Sequence, residues 1–341
     1  MTVNTVKISA EMAEAALRTA WPQARVIAEP EPLTGGQWAT MARLQVRGTP
    51  PGVPGEQVLR ITPKAAMGAK EVAVQDQMAA AGVATPAIRL TGPAGEPLGR
   101  AWTVMDFVTG APLLAGLDGL GMVRRLPHLA LRLPAQLAET MAAVHRVDPQ
   151  PVVASVRRAC PSVAFTIDDL LPHLTAAATA SHRPALIDAA TAVAASRPDQ
   201  SGSVVCHGDL HPLNLIDSAG GLVVLDWTGA VLAPPAYDLA ATWLLLRHPA
   251  LPVPATLRPA IAAAARGVAR AFIRRYRAAC PGADLGSFGW YAGLHALRIL
   301  ADLAVWQRAG DPRAGQYPGR LLAPAATSLL ARATGIPIRS G

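Results

Sequence analysis

The sequence predicts an α+β fold, with a small strand-rich lobe followed by a large, mainly helical lobe. Up to about residue 108, short extended runs alternate with Gly and Pro turns around a few helical turns. Beyond Gly110 the pattern changes to longer apolar segments of helical periodicity. Strands grouped before helices are typical of an α+β fold. We therefore expect residues 1–108 to form one lobe and residues 109–341 the other.

Two helices are predicted within the first lobe. Ser9 is a suitable N-cap for an amphipathic helix over 9–20. A second helical pattern over 69–81 ends at Gly82, a residue suited to the left-handed position after a helix. The other segments of this lobe are predicted to be extended, within 33–46 and over 57–61, 87–90 and 102–108.

The second lobe is predicted to be helical around one polar loop. Its helical patterns cover 134–147, 184–196, 237–246, 256–279, 289–307 and 319–333. Pro134 is expected in the first turn of its helix, where the missing amide has no partner to lose. Two short strands over 203–206 and 222–226 enclose the loop. Loops at strand ends are a usual place for catalytic side chains.

The charge balance and the cysteines narrow the function classes. The chain carries 31 Lys and Arg against 23 Asp and Glu, a net charge of +8. The basic residues are scattered and lack interleaved aromatics, so we expect no nucleic-acid partner, although a steeply salt-dependent DNA-binding module stays an alternative. An anionic ligand such as a nucleotide triphosphate suits this charge equally well. Three cysteines at wide spacing predict neither a disulfide framework nor a cysteine zinc site.

The apolar residues predict a globular core and no membrane segment. Half of the chain, 51%, is hydrophobic, which is enough for a substantial core and excludes disorder over most of the length. The longest apolar run, over 239–246, ends at Arg247, short of the ~20 residues that a spanning helix needs. Residues 1–10 contain no apolar stretch typical of a secretory signal. We expect a cytoplasmic protein, either a monomer or a homodimer.

Three side chains around the polar loop match the requirements of phosphoryl transfer. Asp209 lies in the loop, Asn214 follows five residues later, and Asp226 ends the next strand. The reaction needs a carboxylate that accepts the proton of the attacking hydroxyl, and oxygen ligands that hold Mg²⁺ against the phosphates. Asn214 and Asp226 offer the oxygen ligands that Mg²⁺ prefers. Asp209 is then free of metal and can act as the general base.

The loop resembles the Brenner-type motif His-Gly-Asp-x-x-x-x-Asn of the aminoglycoside phosphotransferase family, which shares the protein-kinase-like fold. The residues that carry this resemblance are His207, Gly208, Asp209 and Asn214. The segments over 225–227 and 235–240 resemble two further motifs of the family, in the right order and at the right spacing. The resemblance extends over about residues 30–245. It implies a two-lobe fold, ATP or GTP as phosphate donor, Mg²⁺, and a small-molecule hydroxyl substrate.

The resemblance also implies supporting roles. Asp238 matches the aspartate that braces the catalytic loop through backbone amides, and His207 is expected to be a packed structural histidine. In the first lobe, Arg60 corresponds to the basic residue that holds the α- and β-phosphates, and Glu71 to its acidic partner. The hinge that binds the adenine edge corresponds to Met105, Phe107 and Val108, and the phosphate-cradling glycines to Gly35 and Gly36.

Two departures from the family pattern concern the nucleotide half. Arg60 stands where kinases usually have Lys; it keeps the charge but offers a planar fork of donors. Trp38 follows the glycines where a small Ser-Asn pair is expected. These departures leave open a non-catalytic, nucleotide-binding or regulatory protein with a kinase fold. A metallohydrolase site at His207, Asp209 and His211 is a further alternative, since alternating His and carboxylates bind metals.

The acceptor site is predicted only in outline. His211, Asp302 and Trp290 are the candidate substrate residues, although Trp290 could equally belong to the core and Asp302 to a solvated face. After Asp226 the chain has thirteen arginines but only four acidic residues, at 238, 284, 302 and 311. A polycation would find little complementary field there. We expect a neutral, amphipathic or weakly cationic hydroxyl compound, such as a sugar, an amino alcohol or a macrolide-like antibiotic.

Overall fold

In the computed structural model, an antiparallel sheet in the first part of the chain precedes a mainly helical remainder, as the sequence predicts. The structure describes residues 7–33, 39–113, 119–249, 255–311, 313–316 and 318–338. The sheet has the order β1-β3-β4-β6-β5, with β2 pairing along β3. Its strands are β1 Arg25–Val26, β2 Glu31–Leu33, β3 Thr40–Arg47, β4 Glu56–Thr62, β5 Ile88–Gly92 and β6 Ala101–Asp106.

The first helix, α1 (Ala10–Arg18), begins at the predicted cap. The Ser9 hydroxyl accepts the amide of Met12 at 3.2 Å, which satisfies one of the unpaired donors of the first turn. Its apolar face buries Leu17 in a core that includes Leu44 and Trp102 of the sheet. Burial of this stripe fixes α1 on the sheet because the opposite face is polar.

The second helix, α2 (Ala65–Ala80), begins four residues before the predicted range and links the two halves of the molecule. Its residues Ala73, Val74 and Met78 lie in a core shared with helices of the second half, not in the core under α1. A lobe boundary at residue 108 stays a prediction. β6 ends just before this residue, but the apolar face of α2 packs against helices beyond it.

The remaining elements are mostly helices. In chain order they are β7 Ala111–Pro112, α3 Gly119–His145, α4 Pro149–Ala159, α5 Ile167–Ala180, α6 Pro184–Ala195, β8 Val204–Cys206, β9 Leu215–Ser218, β10 Gly221–Val224, β11 Val231–Ala233, α7 Ala236–Arg247, α8 Arg258–Ala279, α9 Phe288–Arg308, α10 Arg313–Gln316 and α11 Ala323–Thr334. Among the described helices, none combines the length and the apolar character that a bilayer crossing requires.

Prolines account for the largest errors in the helix predictions. The prediction that Pro134 occupies a first turn is wrong, because α3 begins at Gly119 and this proline lies in the helix interior. Conversely, the Pro-rich region before α6 contains two helices. Pro149 occupies the first turn of α4 behind the Asp148 cap, and Thr166 opens α5 with a capping box.

The two strands predicted around the polar loop belong to two different antiparallel pairs. β8 pairs with β11, while β10 pairs with β9, which in turn pairs with β7. The predicted run 222–226 ends at Val224, and Asp226 follows with φ 59°. The loop after β8 and the turn after β10 therefore leave neighbouring strand pairs and carry the candidate site between them.

Candidate active site

Gly208 allows the loop after β8 to approach the turn after β10. Its φ is +79°, and an added Cβ would lie 2.0 Å from the carbonyl oxygen of Gly229. Either feature alone disfavours every other residue type. A Cβ on Gly229 would in turn lie 3.5 Å from Cβ of Asp209. The segments bearing Asp209 and Asp226 are thus in direct backbone contact.

Asn214 closes the loop on itself and ties it to the second segment. Its side-chain amide donates to the carbonyl of Asp209 at 2.9 Å. Its own carbonyl accepts the amide of Leu225 at 2.9 Å. Because the side-chain nitrogen is used inside the loop, the side-chain oxygen Oδ1 is the atom left to bind a ligand.

Asp238 binds the backbone of the loop after β8. In the first turn of α7, its carboxylate accepts the amides of His207 at 2.7 Å and Gly208 at 2.6 Å. Burial alone would raise the pKa of this carboxyl. The hydrogen bonds from His145 and from the Gly208 amide instead hold the pKa below its ordinary value. This is the contact that the resemblance implies for Asp238.

A buried chain of hydrogen bonds continues from Asp238 into the helices. His145, the last residue of α3, lies 3.1 Å from the Asp238 carboxylate through Nε2 and 2.7 Å from the Tyr276 hydroxyl through Nδ1. A carboxylate only accepts, so Nε2 carries the proton and Nδ1 accepts from Tyr276. The chain joins α8, α3 and α7 to the loop.

His207 is a fully buried structural residue in this arrangement. Its Nε2 donates to the Leu225 carbonyl at 2.9 Å, and its Nδ1 accepts the amide of Asp209 at 3.3 Å. The ring also lies 4.8 Å from that of Trp227. Both nitrogens are occupied by protein groups, which leaves neither for a metal ion. The geometry favours the packed histidine over the metallohydrolase alternative.

Asp209 remains accessible to solvent, since its side chain is 47% exposed. Oδ2 lies 3.5 Å from Nε2 of His211, whose Nδ1 accepts the amide of Leu213 at 3.3 Å. Burial would raise the pKa of Asp209, but the hydrogen bond from His211 and the charge of Arg298 lower it. An accessible carboxylate that stays ionised is suited to accepting a proton from a hydroxyl.

Asp226 adopts a left-handed backbone conformation that is uncommon for residues other than glycine. Its Oδ1 accepts from the Thr228 hydroxyl and lies 3.5 Å from the Arg60 guanidinium. Aspartate tolerates this conformation better than most residues because its short side chain bonds to the following turn. The carboxylate is 28% exposed, so part of it stays accessible beside Arg60.

Arg60 and Glu71 meet as the sequence predicts. The guanidinium lies 3.1 Å from the Glu71 carboxylate, and both side chains are 6% exposed. Burial raises the pKa of Glu71 to about 7, against the lowering effect of Arg60. Among the described residues, Nε of Arg60 has no hydrogen-bond partner. Arg60 thus joins Glu71 on α2 to Asp226 and retains a further donor.

The remaining nucleotide-site predictions concern the phosphate-cradling glycines and the hinge. Gly35, Gly36 and Trp38 lie outside the described residues. In the hinge, Met105 pairs with Val58 of β4, and the amide of Phe107 donates to Glu56 at 3.1 Å, so that amide belongs to the sheet. Val108 follows directly and is half-buried.

Two of the three predicted substrate residues, Trp290 and Asp302, lie on α9, and their side chains have different surroundings. The Trp290 indole packs edge-on against Tyr291 and donates to the Val193 carbonyl at 3.1 Å. Its N–H therefore links α9 to α6 and is not available to a substrate. Asp302 is half-buried on α9, one turn beyond Arg298. The third predicted substrate residue, His211, lies outside α9, with Nε2 3.5 Å from Oδ2 of Asp209.

Two basic residues at the site escaped the sequence analysis. Lys70 is buried on α2 and donates to the Ala230 carbonyl at 3.0 Å, directly after the Asp226 turn. Arg298 on α9 hydrogen-bonds the Tyr237 side chain, and its charge lowers the pKa of Asp209. Neither stands out in the sequence, because lysine and arginine on helices are usually solvated. Only the position of Lys70 next to Glu71 could have suggested it.

A cluster of potential metal ligands behind the loop is better explained without a metal. His145, Cys206 and Asp238 are buried with their ligand atoms within 4.8 Å of one another. His145 and Asp238 are already paired, and the Cys206 thiol donates to the Ala233 carbonyl at 3.4 Å. Burial raises the pKa of this thiol, which disfavours the thiolate that a metal needs.

Comparisons with known proteins agree with this geometry. One curated relative, an N-acetylmuramate/N-acetylglucosamine kinase of Caulobacter vibrioides, is 33% identical over 136 residues, which is 37% of this chain and 34% of the relative. The match thus spans about a third of that protein's length.

Solved structures show the same fold over nearly the whole chain. A protein of Ralstonia eutropha assigned to the aminoglycoside phosphotransferases has a TM-score of 0.65 at 20% identity, covering 95% of this chain and 97% of its own. A thermostable mutant of aminoglycoside phosphotransferase APH(4)-Ia, in ternary complex with AMP-PNP and hygromycin B, has a TM-score of 0.59 at 18% identity, covering 94% and 98%.

The family model described as the phosphotransferase enzyme family, APH, matches residues 33–279. The match reaches to the end of α8, further than the resemblance over 30–245 that the motifs alone indicated. It includes strands β3 to β6 of the sheet, the loop with Asp209, and the turn with Asp226. The chain belongs to this phosphotransferase family.

Proposed function

We propose that this phosphotransferase transfers the γ-phosphate of ATP or GTP to a hydroxyl group of a small, sugar-like molecule, with Asp209 as general base. The observation that carries the proposal is the backbone contact between the loop after β8, which bears Asp209, and the turn after β10, which bears Asp226. Gly208 lies against Gly229, which brings the loop with the partly exposed Asp209 carboxylate against the turn that follows Asp226, and Arg60 of β4 lies 3.5 Å from the Asp226 carboxylate.

Asp209 supplies the proton transfer in this proposal. As the acceptor oxygen attacks the γ-phosphorus, its proton passes to the Asp209 carboxylate, and the bond to the β-bridging oxygen breaks to release the nucleoside diphosphate. The lowered pKa of Asp209 keeps the carboxylate ionised at neutral pH, ready to accept the proton. His211 orients the carboxylate through Oδ2.

The described residues also fit a magnesium ion. The internal bond of Asn214 uses its side-chain nitrogen and leaves Oδ1 as a possible ligand, and Asp226 presents a partly exposed carboxylate, so each residue offers an oxygen to the metal. When bound with the nucleotide, Mg²⁺ would neutralise phosphate charge. Arg60 would contribute a fixed cation to the same phosphates, held in place by Glu71.

The donor and acceptor classes come from the relatives. The complex with AMP-PNP supports a nucleoside triphosphate donor. The curated relative is named for two amino sugars, which supports a sugar hydroxyl as acceptor. Such a donor is a cytoplasmic metabolite, consistent with the expected location.

A substrate panel tests the proposal. The protein is mixed with ATP or GTP, Mg²⁺ and hydroxylated compounds that include both amino sugars, hygromycin B and amino alcohols, and products are read by mass spectrometry. We expect one compound to gain a phosphate only when Mg²⁺ is present. Metal-independent nucleotide binding without any phosphorylated product would instead support the non-catalytic alternative.

A further inference from the structure

Thr85, which lies between α2 and β5, binds the chain on both sides of Asp226. Its hydroxyl donates to the Val224 carbonyl at 2.9 Å and accepts the indole N–H of Trp227 at 3.0 Å. The carbonyl of Ala84 accepts the amide of Val224 at 2.8 Å. The residue two positions before Asp226 and the residue directly after it are therefore both bound by the segment between α2 and β5.

Helix α2 itself binds the far end of the same turn. The ammonium group of Lys70, a residue that is 7% exposed, donates to the Ala230 carbonyl at 3.0 Å. The next residue along α2, Glu71, lies 3.1 Å from the Arg60 guanidinium, which in turn lies 3.5 Å from the Asp226 carboxylate. The backbone around Asp226 and the cation beside its carboxylate are thus attached to the same helix.

The left-handed backbone of Asp226, with φ 59°, depends on such contacts. A residue other than glycine stays in this region only where its surroundings fix it. The amide and the hydroxyl of Thr228 donate to the Asp226 carboxylate, which fixes the side chain within the turn. These internal bonds do not place the turn relative to Arg60 on the sheet. The hydroxyl of Thr85 does so, because it bonds to the turn from the other part of the molecule.

We propose that Thr85 is a positioning residue for Asp226, and that its hydroxyl sets the affinity of the enzyme for the Mg²⁺ complex of its nucleotide. Mg²⁺ requires near-ideal octahedral geometry, so a displaced carboxylate is a poor ligand. Loss of a group that orients a metal ligand typically weakens metal binding by about 10- to 100-fold. This inference rests on the proposed function, since it takes Asp226 as a ligand of the metal.

Binding of AMP-PNP to the full chain, measured by calorimetry with and without Mg²⁺, tests the inference. Thr85→Val removes the hydroxyl but keeps the shape of the side chain, and Thr85→Ser keeps the hydroxyl. We expect Thr85→Val to bind metal-free AMP-PNP as the wild type does, but to bind it about tenfold or more weakly when Mg²⁺ is present. Thr85→Ser should restore the wild-type affinity. Thr85→Ala also lacks the hydroxyl and carries the same expectation if valine prevents folding.

A kinetic measurement separates positioning from general support of the fold. The Mg²⁺ concentration that gives the half-maximal rate should rise in Thr85→Val, whereas KM for the acceptor should stay unchanged. Thr175→Val is the control, because this hydroxyl donates to the Leu171 carbonyl at 3.0 Å within α5, and the variant should match the wild type in both measurements.

Three outcomes would overturn the inference. The first is a Thr85→Val protein that is less stable but binds AMP-PNP with Mg²⁺ as tightly as the wild type. The second is an equal loss of affinity with and without Mg²⁺. The third, wild-type binding that does not depend on Mg²⁺, would overturn the proposed function as well. Weakened Mg²⁺-dependent binding in Thr85→Val, with no phosphorylated product from any acceptor, would support the inference and count against the proposed function alone.

Discussion

At the scale of single residues, Gly208 shows how the site depends on backbone shape. It has both a positive φ and a carbonyl 2.0 Å from where a Cβ would stand, whereas Gly202 has φ +68° with nothing described within 4 Å. Gly202→Ala therefore measures only the cost of placing a residue with a Cβ in the left-handed backbone conformation, about 1 kcal/mol. Gly208→Ala adds a backbone clash and should cost on the order of 3 kcal/mol. Urea unfolding of both variants measures the difference; equal losses would contradict the close contact with Gly229.

A second prediction for a single residue concerns Lys70, whose contribution to the free energy of unfolding should depend on pH. Burial, aided by the charge of Arg298, lowers its pKa to about 8 from the ordinary 10.5. Between these values the unfolded chain binds more protons than the folded one, so the contribution of Lys70 to stability rises with pH across this window. The wild type should gain up to roughly 3 kcal/mol relative to Lys70→Met between pH 8 and 10.5.

The measurement for Lys70 is the free energy of unfolding of both proteins at several pH values. Titration of groups that do not interact with Lys70 cancels in the difference because the two chains share them; Glu71, whose pKa the charge of Lys70 lowers, is not one of these groups. Parallel pH profiles would show that the amine is not buried against the Ala230 carbonyl.

At the scale of elements, the chain from Tyr276 through His145 to Asp238 links three helices to the loop. Tyr276→Phe removes the donor to His145 and leaves a buried acceptor unpaired, at about 1–3 kcal/mol. Tyr291→Phe is a matched control, since its buried hydroxyl donates to Gln200 at 3.1 Å, away from the loop. Both variants should lose stability, but only Tyr276→Phe should also lower kcat. Equal kcat values in the two variants would contradict a link to the loop.

The elements also show which features could be predicted from sequence. The Ser9 cap and the helix after Pro184 follow from local rules, and the loop residues around Asp209 follow from the chemistry of phosphoryl transfer. The two helices in the Pro-rich stretch before α6 could not be predicted because a proline can either break a helix or begin one. Which occurs depends on the cap before it, as at Asp148. Arg298 was missed because its effect on the pKa of Asp209 depends on the packing of α9 on α7, which one sequence does not reveal.

At the scale of the whole molecule, nucleotide binding should stabilise the fold by mass action. A ligand at 100 times its Kd adds about 2.7 kcal/mol. With ATP present, addition of Mg²⁺ should raise the Tm of the wild type further than that of Asp226→Asn. Asparagine also tolerates the left-handed turn, so this variant removes a charged ligand without imposing a new backbone. An identical Mg²⁺-dependent shift in both proteins would count against Asp226 as a metal ligand.

The central claim is that one carboxylate, Asp209, accepts the proton of the acceptor hydroxyl, and single-turnover phosphorylation of the identified acceptor tests it most directly. Asp209→Asn is compared with Asp188→Asn, which changes an exposed aspartate on α6. We expect Asp209→Asn to bind nucleotide as the wild type does but to transfer phosphate on the order of 10²-fold or more slowly, and Asp188→Asn to match the wild type. A transfer rate for Asp209→Asn equal to that of the wild type would contradict the claim.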